Sequence, residues 1–62
     1  MKNYEVVAQS NDNIIETFEA ADIFQAAEVA GEMFNAEIQC NGLERSVAFE
    51  GENDYYWLYE IQ

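Results

Sequence analysis

Lys2 and Arg45 are the only cations set against thirteen carboxylates, and yet half of the 62-residue chain is hydrophobic. These two facts pull in opposite directions. A chain at net −11 with few apolar residues stays disordered, because it buries too little surface to offset the entropy of ordering. Four Phe, four Tyr and one Trp supply that surface here. The expectation is a small rigid body covered in carboxylates. Self-repulsion lowers the stability of such a body, and solubility alone needs far less charge. The excess points to a partner that meets negative charge.

One acidic domain, residues 1–62, accounts for the whole length and leaves no room for a second core. Cores of this size usually need a disulfide, a metal or a partner chain. Cys40 stands alone, so no disulfide forms within the chain, and a lone thiol fits a reducing, cytoplasmic setting. There is no histidine, and one thiol does not hold zinc, so no metal or other cofactor is expected. Association with a second copy gains weight as a source of stability.

Nothing near the start reads as a signal peptide: after Lys2 the chain runs directly into Tyr4-Glu5-Val6-Val7. No stretch approaches the roughly 20 apolar residues that span a bilayer. The sign of the charge argues against anionic membranes and against direct nucleic-acid binding, both of which require Lys and Arg. The remaining partners are basic proteins, cations or another copy of the chain.

Periodicity predicts an α+β fold, a small antiparallel sheet with one helix packed on one face, in the order ββαβββ. Residues 4–9 and 14–20 read as strands joined by the polar turn Ser10-Asn11-Asp12-Asn13. Ile23, Ala26, Ala27, Ala30, Met33 and Phe34 form the apolar stripe of a helix over 21–35, with Asp22 at its positive end. Gly31 weakens the last turn of that helix by about 1 kcal/mol. Residues 36–40 alternate into Asn41-Gly42, a strong hairpin signal, which predicts a return strand over 43–50 pairing Cys40 with Leu43 and Glu37 with Ser46. A second turn at 51–54 leads to a final strand over 55–61.

Strand alternation then sorts the side chains into two faces. The helix-facing set is expected to hold Tyr4, Val6, Ala8, Phe18, Ile38 and Cys40 from the first part of the sheet. Leu43, Val47, Phe49, Tyr55, Trp57, Tyr59 and Ile61 complete it. Glu5, Glu19, Glu37, Glu44, Glu50 and Glu60 fall on the opposite face, with Tyr56 and Leu58 between them. Strands about 4.8 Å apart, with same-face residues about 6.6 Å apart along each, would space these carboxylates like phosphates along a nucleic-acid strand. Clustering like charges on a sheet is costly. Glu16 and Arg45 fall on the apolar side in this register and imply a bulge or a place at the sheet rim. Asp22, Glu28 and Glu32 form a second acidic surface on the helix, Glu28 and Glu32 being an unfavourable i,i+4 pair. A halophile's solvating surface would use more Asp than three against ten Glu.

Other features have plainer readings. Glu50-Gly51-Glu52-Asn53-Asp54 and Asn11-Asp12-Asn13 offer oxygen ligands, but the EF-hand spacing is missing and two polar turns account for both. Cys40 has no histidine or lysine near it in sequence to lower its pKa, and reads as a small buried hydrophobe. No cleft is evident for acid–base chemistry, so the chain is not expected to be an enzyme. In the run Tyr55-Tyr56-Trp57-Leu58-Tyr59, one face fills the core, and Tyr56 and Leu58 become interface candidates, most of all if this is an edge strand.

In size, charge and architecture the chain resembles the DNA-mimic inhibitors of phages and mobile elements. These include anti-restriction and anti-CRISPR factors and blockers of host polymerase or nucleoid proteins. The stretch Phe18-Glu19-Ala20-Ala21-Asp22, continued by Ala26, Ala27 and Ala30, is similar to the strand-to-helix junction of small ββα domains, some antitoxins among them. The first resemblance implies a non-enzymatic inhibitor acting in the host cytoplasm. Its carboxylate face would occupy the basic site of a nucleic-acid-binding protein such as a CRISPR effector, restriction enzyme or polymerase. The alternative is a small assembly module, antitoxin-like or homodimeric, whose charge serves solubility.

Overall fold

A computed structural model describes residues 1–61. Four strands and one helix follow the order ββαββ: β1 (Lys2–Ala8), β2 (Ile14–Ala20), α1 (Ile23–Phe34), β3 (Ser46–Glu50) and β4 (Tyr55–Ile61). The strands form one antiparallel sheet in the order β2-β1-β4-β3, so β1 and β4 are central and β2 and β3 are edges. The α+β class and the single helix agree with the sequence expectation. The expected strand over 36–40 does not form.

Pairing partners explain that missing strand. Lys2 lies opposite Ala20, Asn3 opposite Ile61, and Ser46 opposite Tyr59, so the end of β2 and the start of β3 share one end of the sheet. The twelve-residue helix carries the chain away from that end by about 18 Å. The segment 36–45 must bring it back before β3 can begin, and it does so as extended chain alongside the helix. Ala36, Ile38 and Cys40 are half-buried against the core on the way, and the Cys40 thiol reaches the Ile23 carbonyl at 3.8 Å. Asn41-Gly42 closes no hairpin. The Asn41 side-chain oxygen accepts the Leu43 N–H at 2.9 Å, an Asx turn, and Gly42 supplies φ +90° beside the Phe24 ring. Leu43, expected in the core, is 89% exposed.

The helix starts and stops through side chains the sequence provides. Asp22 caps it, accepting the Gln25 N–H at 2.9 Å, while Gln25 reaches back to accept the Ala21 N–H at 2.6 Å. This reciprocal pair resembles a capping box. Asn35 ends the helix in the left-handed conformation (φ 50°), and the N–H groups of Asn35 and Ala36 both donate to the Gly31 carbonyl. Gly31 is required there, because a Cβ would lie 2.8 Å from the Ala36 oxygen.

Ile23, Ala26, Ala27 and Ala30 bury the helix against one sheet face; Met33, expected in that stripe, is exposed. Tyr4 and Val6 from β1, Ala20 from β2, Val47 and Phe49 from β3 and Leu58 from β4 complete the core. Three alanines on the buried helix face, Ala26, Ala27 and Ala30, let it lie close to the sheet, and the larger aromatics gather at its end. Phe34, Phe49 and Tyr56 pack there with ring centroids 4.7 to 5.7 Å apart. No helix among the described residues is long and apolar enough to cross a membrane.

Candidate functional site

Register places the acidic residues differently from the expectation. Tyr4 pairs with Glu60, Val6 with Leu58, and Ala8 with Tyr56. Tyr56, Leu58 and Glu60 therefore face the helix, and Tyr55, Trp57, Tyr59 and Ile61 face away from it, the reverse of the expected orientation. Leu58 is the reason. Among residues 55–59 it alone has no polar atom in its side chain, whereas Tyr and Trp tolerate a wet surface through their O–H and N–H groups. Burying Leu58 sets the faces of the whole strand, because a one-residue change would expose it.

The expected array of six glutamates on one sheet face is therefore not assembled. Glu5 and Glu19 do lie on the helix-free face, across from Tyr59 and Asn3, and Glu50 joins them opposite Tyr55. Glu37 and Glu44 belong to the returning segment 36–45. Glu60 faces the helix side at the strand end, half-buried, with Lys2 Nζ at 3.7 Å from its carboxylate. Tyr56, expected beside the carboxylates, is packed against Phe34 and Phe49. β4 is a central strand, so it offers no free edge. Glu16 is on the helix-facing side opposite Val6, as the alternation indicates, but lies exposed on edge strand β2. A bulge follows: Val7 pairs with Ile14, leaving Ile15 as the extra residue.

What the sheet presents instead is an open face built in rows. One row is apolar, Ile14, Val7, Trp57 and Ala48 across all four strands. On one side of it lies the row Thr17, Glu5, Tyr59 and Ser46, and on the other the pair Tyr55 and Glu50. Tyr55 is 57% exposed and Trp57 42%. The only cation in any strand, Lys2, is on the opposite side with Tyr4 and Val6 by alternation. Glu5 and Glu50 thus flank exposed aromatic rings, and Glu19 lies further out on the same face, with no strand cation beside them.

Local electrostatics follow from these placements. Hydrogen bonding to Glu5, then loss of solvent and the nearby negative charge, push the Tyr59 phenol above its usual range. Burial, with the charges of Glu60 and Asp22 adding to it, pushes Tyr4 up as well. Cys40 is raised by burial and then by Glu44, the opposite of an activated thiol. Backbone N–H groups, that of Asn41 foremost at 3.0 Å, hold Glu44 below the usual carboxylate range. Glu44 is therefore tied into its own loop. On the helix, Asp22 is occupied as a cap, and Glu28 and Glu32 are exposed.

Among the described residues, no three metal-ligating side chains lie together in a cation-holding cluster. Comparison with protein-family models, with curated proteins and with solved structures finds no match to this chain.

Proposed function

We propose that the protein is a non-enzymatic inhibitor that competes with nucleic acid for the basic site of a nucleic-acid-binding protein, and that the open sheet face makes the contact. One observation carries this reading: Glu5 and Glu50 flank the exposed rings of Tyr55 and Trp57, with half-buried Tyr59 beside Glu5 and Glu19 further out, on a face whose strands offer no Lys or Arg. Carboxylates around exposed aromatics suit a partner lined with Lys and Arg. Such a site normally gains affinity by neutralising phosphates. A body at net −11 competes for the same field and is steered into it quickly. The aromatic rings add contact that salt does not screen, in keeping with the use of Tyr and Trp at interfaces.

Homodimerisation through the same face is the rival reading, favoured by the exposed aromatic row. Charge weighs against it, because each copy would set its Glu5, Glu19 and Glu50 against those of the other. The reading is tested by capturing partners from bacterial lysate on the tagged protein at about 0.1 M salt, where exposed charges still act over about 10 Å. A nucleic-acid-binding protein released by salt and displaced by DNA is the expected result. Reversing Glu5, Glu19 and Glu50 to Lys should abolish its capture, whereas reversing Glu28 and Glu32 should leave it. Capture that ignores both salt and DNA would overturn the proposal.

A further inference from the structure

We infer that the open face is built to receive an arginine side chain of a basic protein, its guanidinium laid over the Trp57 indole and its charge met by the flanking carboxylates of Glu5 and Glu50. This rests on the inhibitor reading and names the chemistry of its contact. Trp57 pairs with Val7 on one side and with Ala48 on the other. Glu5 stands two residues before Val7 and Glu50 two residues after Ala48, so the two carboxylates are diagonal neighbours of Trp57 from opposite strands and opposite directions. Each diagonal position is about 7–8 Å from Trp57, within reach of long side chains, so a carboxylate stands on either side of the ring. The indole row itself, with Ile14, Val7 and Ala48, holds no polar side chain that competes for the ring.

This arrangement selects among ligands. Tryptophan is the best cation–π partner, and arginine stacks on it as a plane while its edge stays free to donate to a flanking carboxylate. A lysine ammonium is a compact, strongly hydrated point charge and does not fit the same plane. Nucleic-acid bases also stack on exposed aromatics, but their phosphates would meet Glu5, Glu19 and Glu50. A second copy brings no strand cation on this face, since Lys2 is engaged with Glu60 on the other side. An arginine-bearing segment satisfies both the ring and the charges.

The experiment titrates the full chain with a peptide carrying four arginines separated by Gly and Ser, and with the same peptide carrying lysines. Trp57 is the chain's one tryptophan, so its fluorescence reports the proposed contact directly. The expected result is a change in Trp57 emission with the arginine peptide and several-fold weaker binding of the lysine peptide. Trp57→Leu, which keeps apolar volume without the indole, should weaken the arginine peptide about tenfold. The paired Glu5→Gln, Glu50→Gln variant should weaken it too, and Glu28→Gln, Glu32→Gln should not, with circular dichroism confirming that each variant is folded. Equal affinity for the two peptides and an unaffected Trp57→Leu would overturn the inference. So would a concentration-dependent Trp57 signal without peptide accompanied by a doubled mass in light scattering, which assigns the face to a second copy. If folded Trp57→Leu competes with DNA for a captured target as well as the natural chain does, the inhibitor reading stands and the arginine contact falls. If the peptide results hold but no DNA-displaceable target is captured, the contact stands and the inhibitor reading falls.

Discussion

Leu58 and Trp57 are neighbours in β4 and occupy opposite faces of the sheet, Leu58 with no exposed surface beneath the helix and Trp57 42% exposed on the far side. The pair decides which surface the protein shows. It also makes the register measurable. Leu58→Ala should cost about 2–5 kcal/mol, the range for emptying a packed site. That is comparable to the whole stability of a domain this small. Trp57→Ala should cost about 1 kcal/mol, the scale of a cross-strand surface pair. Urea titration followed by circular dichroism checks both; the reverse ranking would mean that β4 is turned the other way.

Gly31→Ala provides a test of the helix end. In an exposed helix interior this change usually stabilises by about 1 kcal/mol. Here the new methyl would lie 2.8 Å from the Ala36 carbonyl oxygen, backbone that cannot swing aside. A lowered Tm is the expected outcome. A raised Tm would show that the return of the chain after Asn35 is looser than the structure has it.

Much of this architecture is legible in the residues. The bounds of β2 and β4, the polar turns and, short of Met33, the apolar stripe of α1 follow from periodicity and turn chemistry. The segment 36–45 is different, because its alternation and its Asn41-Gly42 pair satisfy a local rule for a hairpin. A non-local demand prevails: β3 must start at the end of the sheet where β2 finished, and the chain after α1 has to travel back. The face of β4 was equally hidden. Five consecutive large residues, Tyr55 to Tyr59, give alternation no polar contrast to act on. The usable signal was the missing polar atom in Leu58, and reading it would have turned Tyr55, Trp57 and Tyr59 outward and Glu60 toward Lys2.

Asp22 separates structural from functional charge. Its carboxylate caps α1 by accepting the Gln25 N–H. Asp22→Asn keeps an acceptor and should leave stability nearly unchanged, whereas Asp22→Ala should cost about 0.5–2 kcal/mol. Thermal melts of the two variants distinguish a cap from a charge; equal losses in both would show that the negative charge itself matters there.

Net charge of −11 predicts an unusual response to salt. Self-repulsion destabilises the compact state, and salt screens it. Raising NaCl from about 0.01 M to 0.15 M should raise the Tm by about 4–8 °C, corresponding to about 1 kcal/mol in a domain of this size. Glu32→Lys should recover part of that gain at low salt, by replacing the like-charge pair with Glu28 by a favourable one worth about 0.2–0.5 kcal/mol. A Tm indifferent to salt would mean that the carboxylates are too dispersed to repel one another appreciably.

Alkaline pH should unfold the protein through the same charges. Tyr4, Tyr59 and Cys40 all hold their protons more tightly when folded, Tyr4 and Cys40 chiefly through burial and Tyr59 chiefly through Glu5. For a group whose folded pKa is raised, stability is fully present below its unfolded pKa and is lost as pH rises through the folded value. Ordinary values near about 8.5 for Cys and 10 for Tyr set the window. Urea midpoints should therefore hold through neutral pH, decline slightly from about pH 9 as Cys40 begins to matter, and fall steeply beyond about pH 10. Tyr4→Phe removes the ionisable group with the fully packed ring and should make the steep part shallower, while Cys40→Ala should delay the onset. An unchanged alkaline limb in Tyr4→Phe would place the loss elsewhere, with Tyr59 and its Glu5 neighbour the next to substitute.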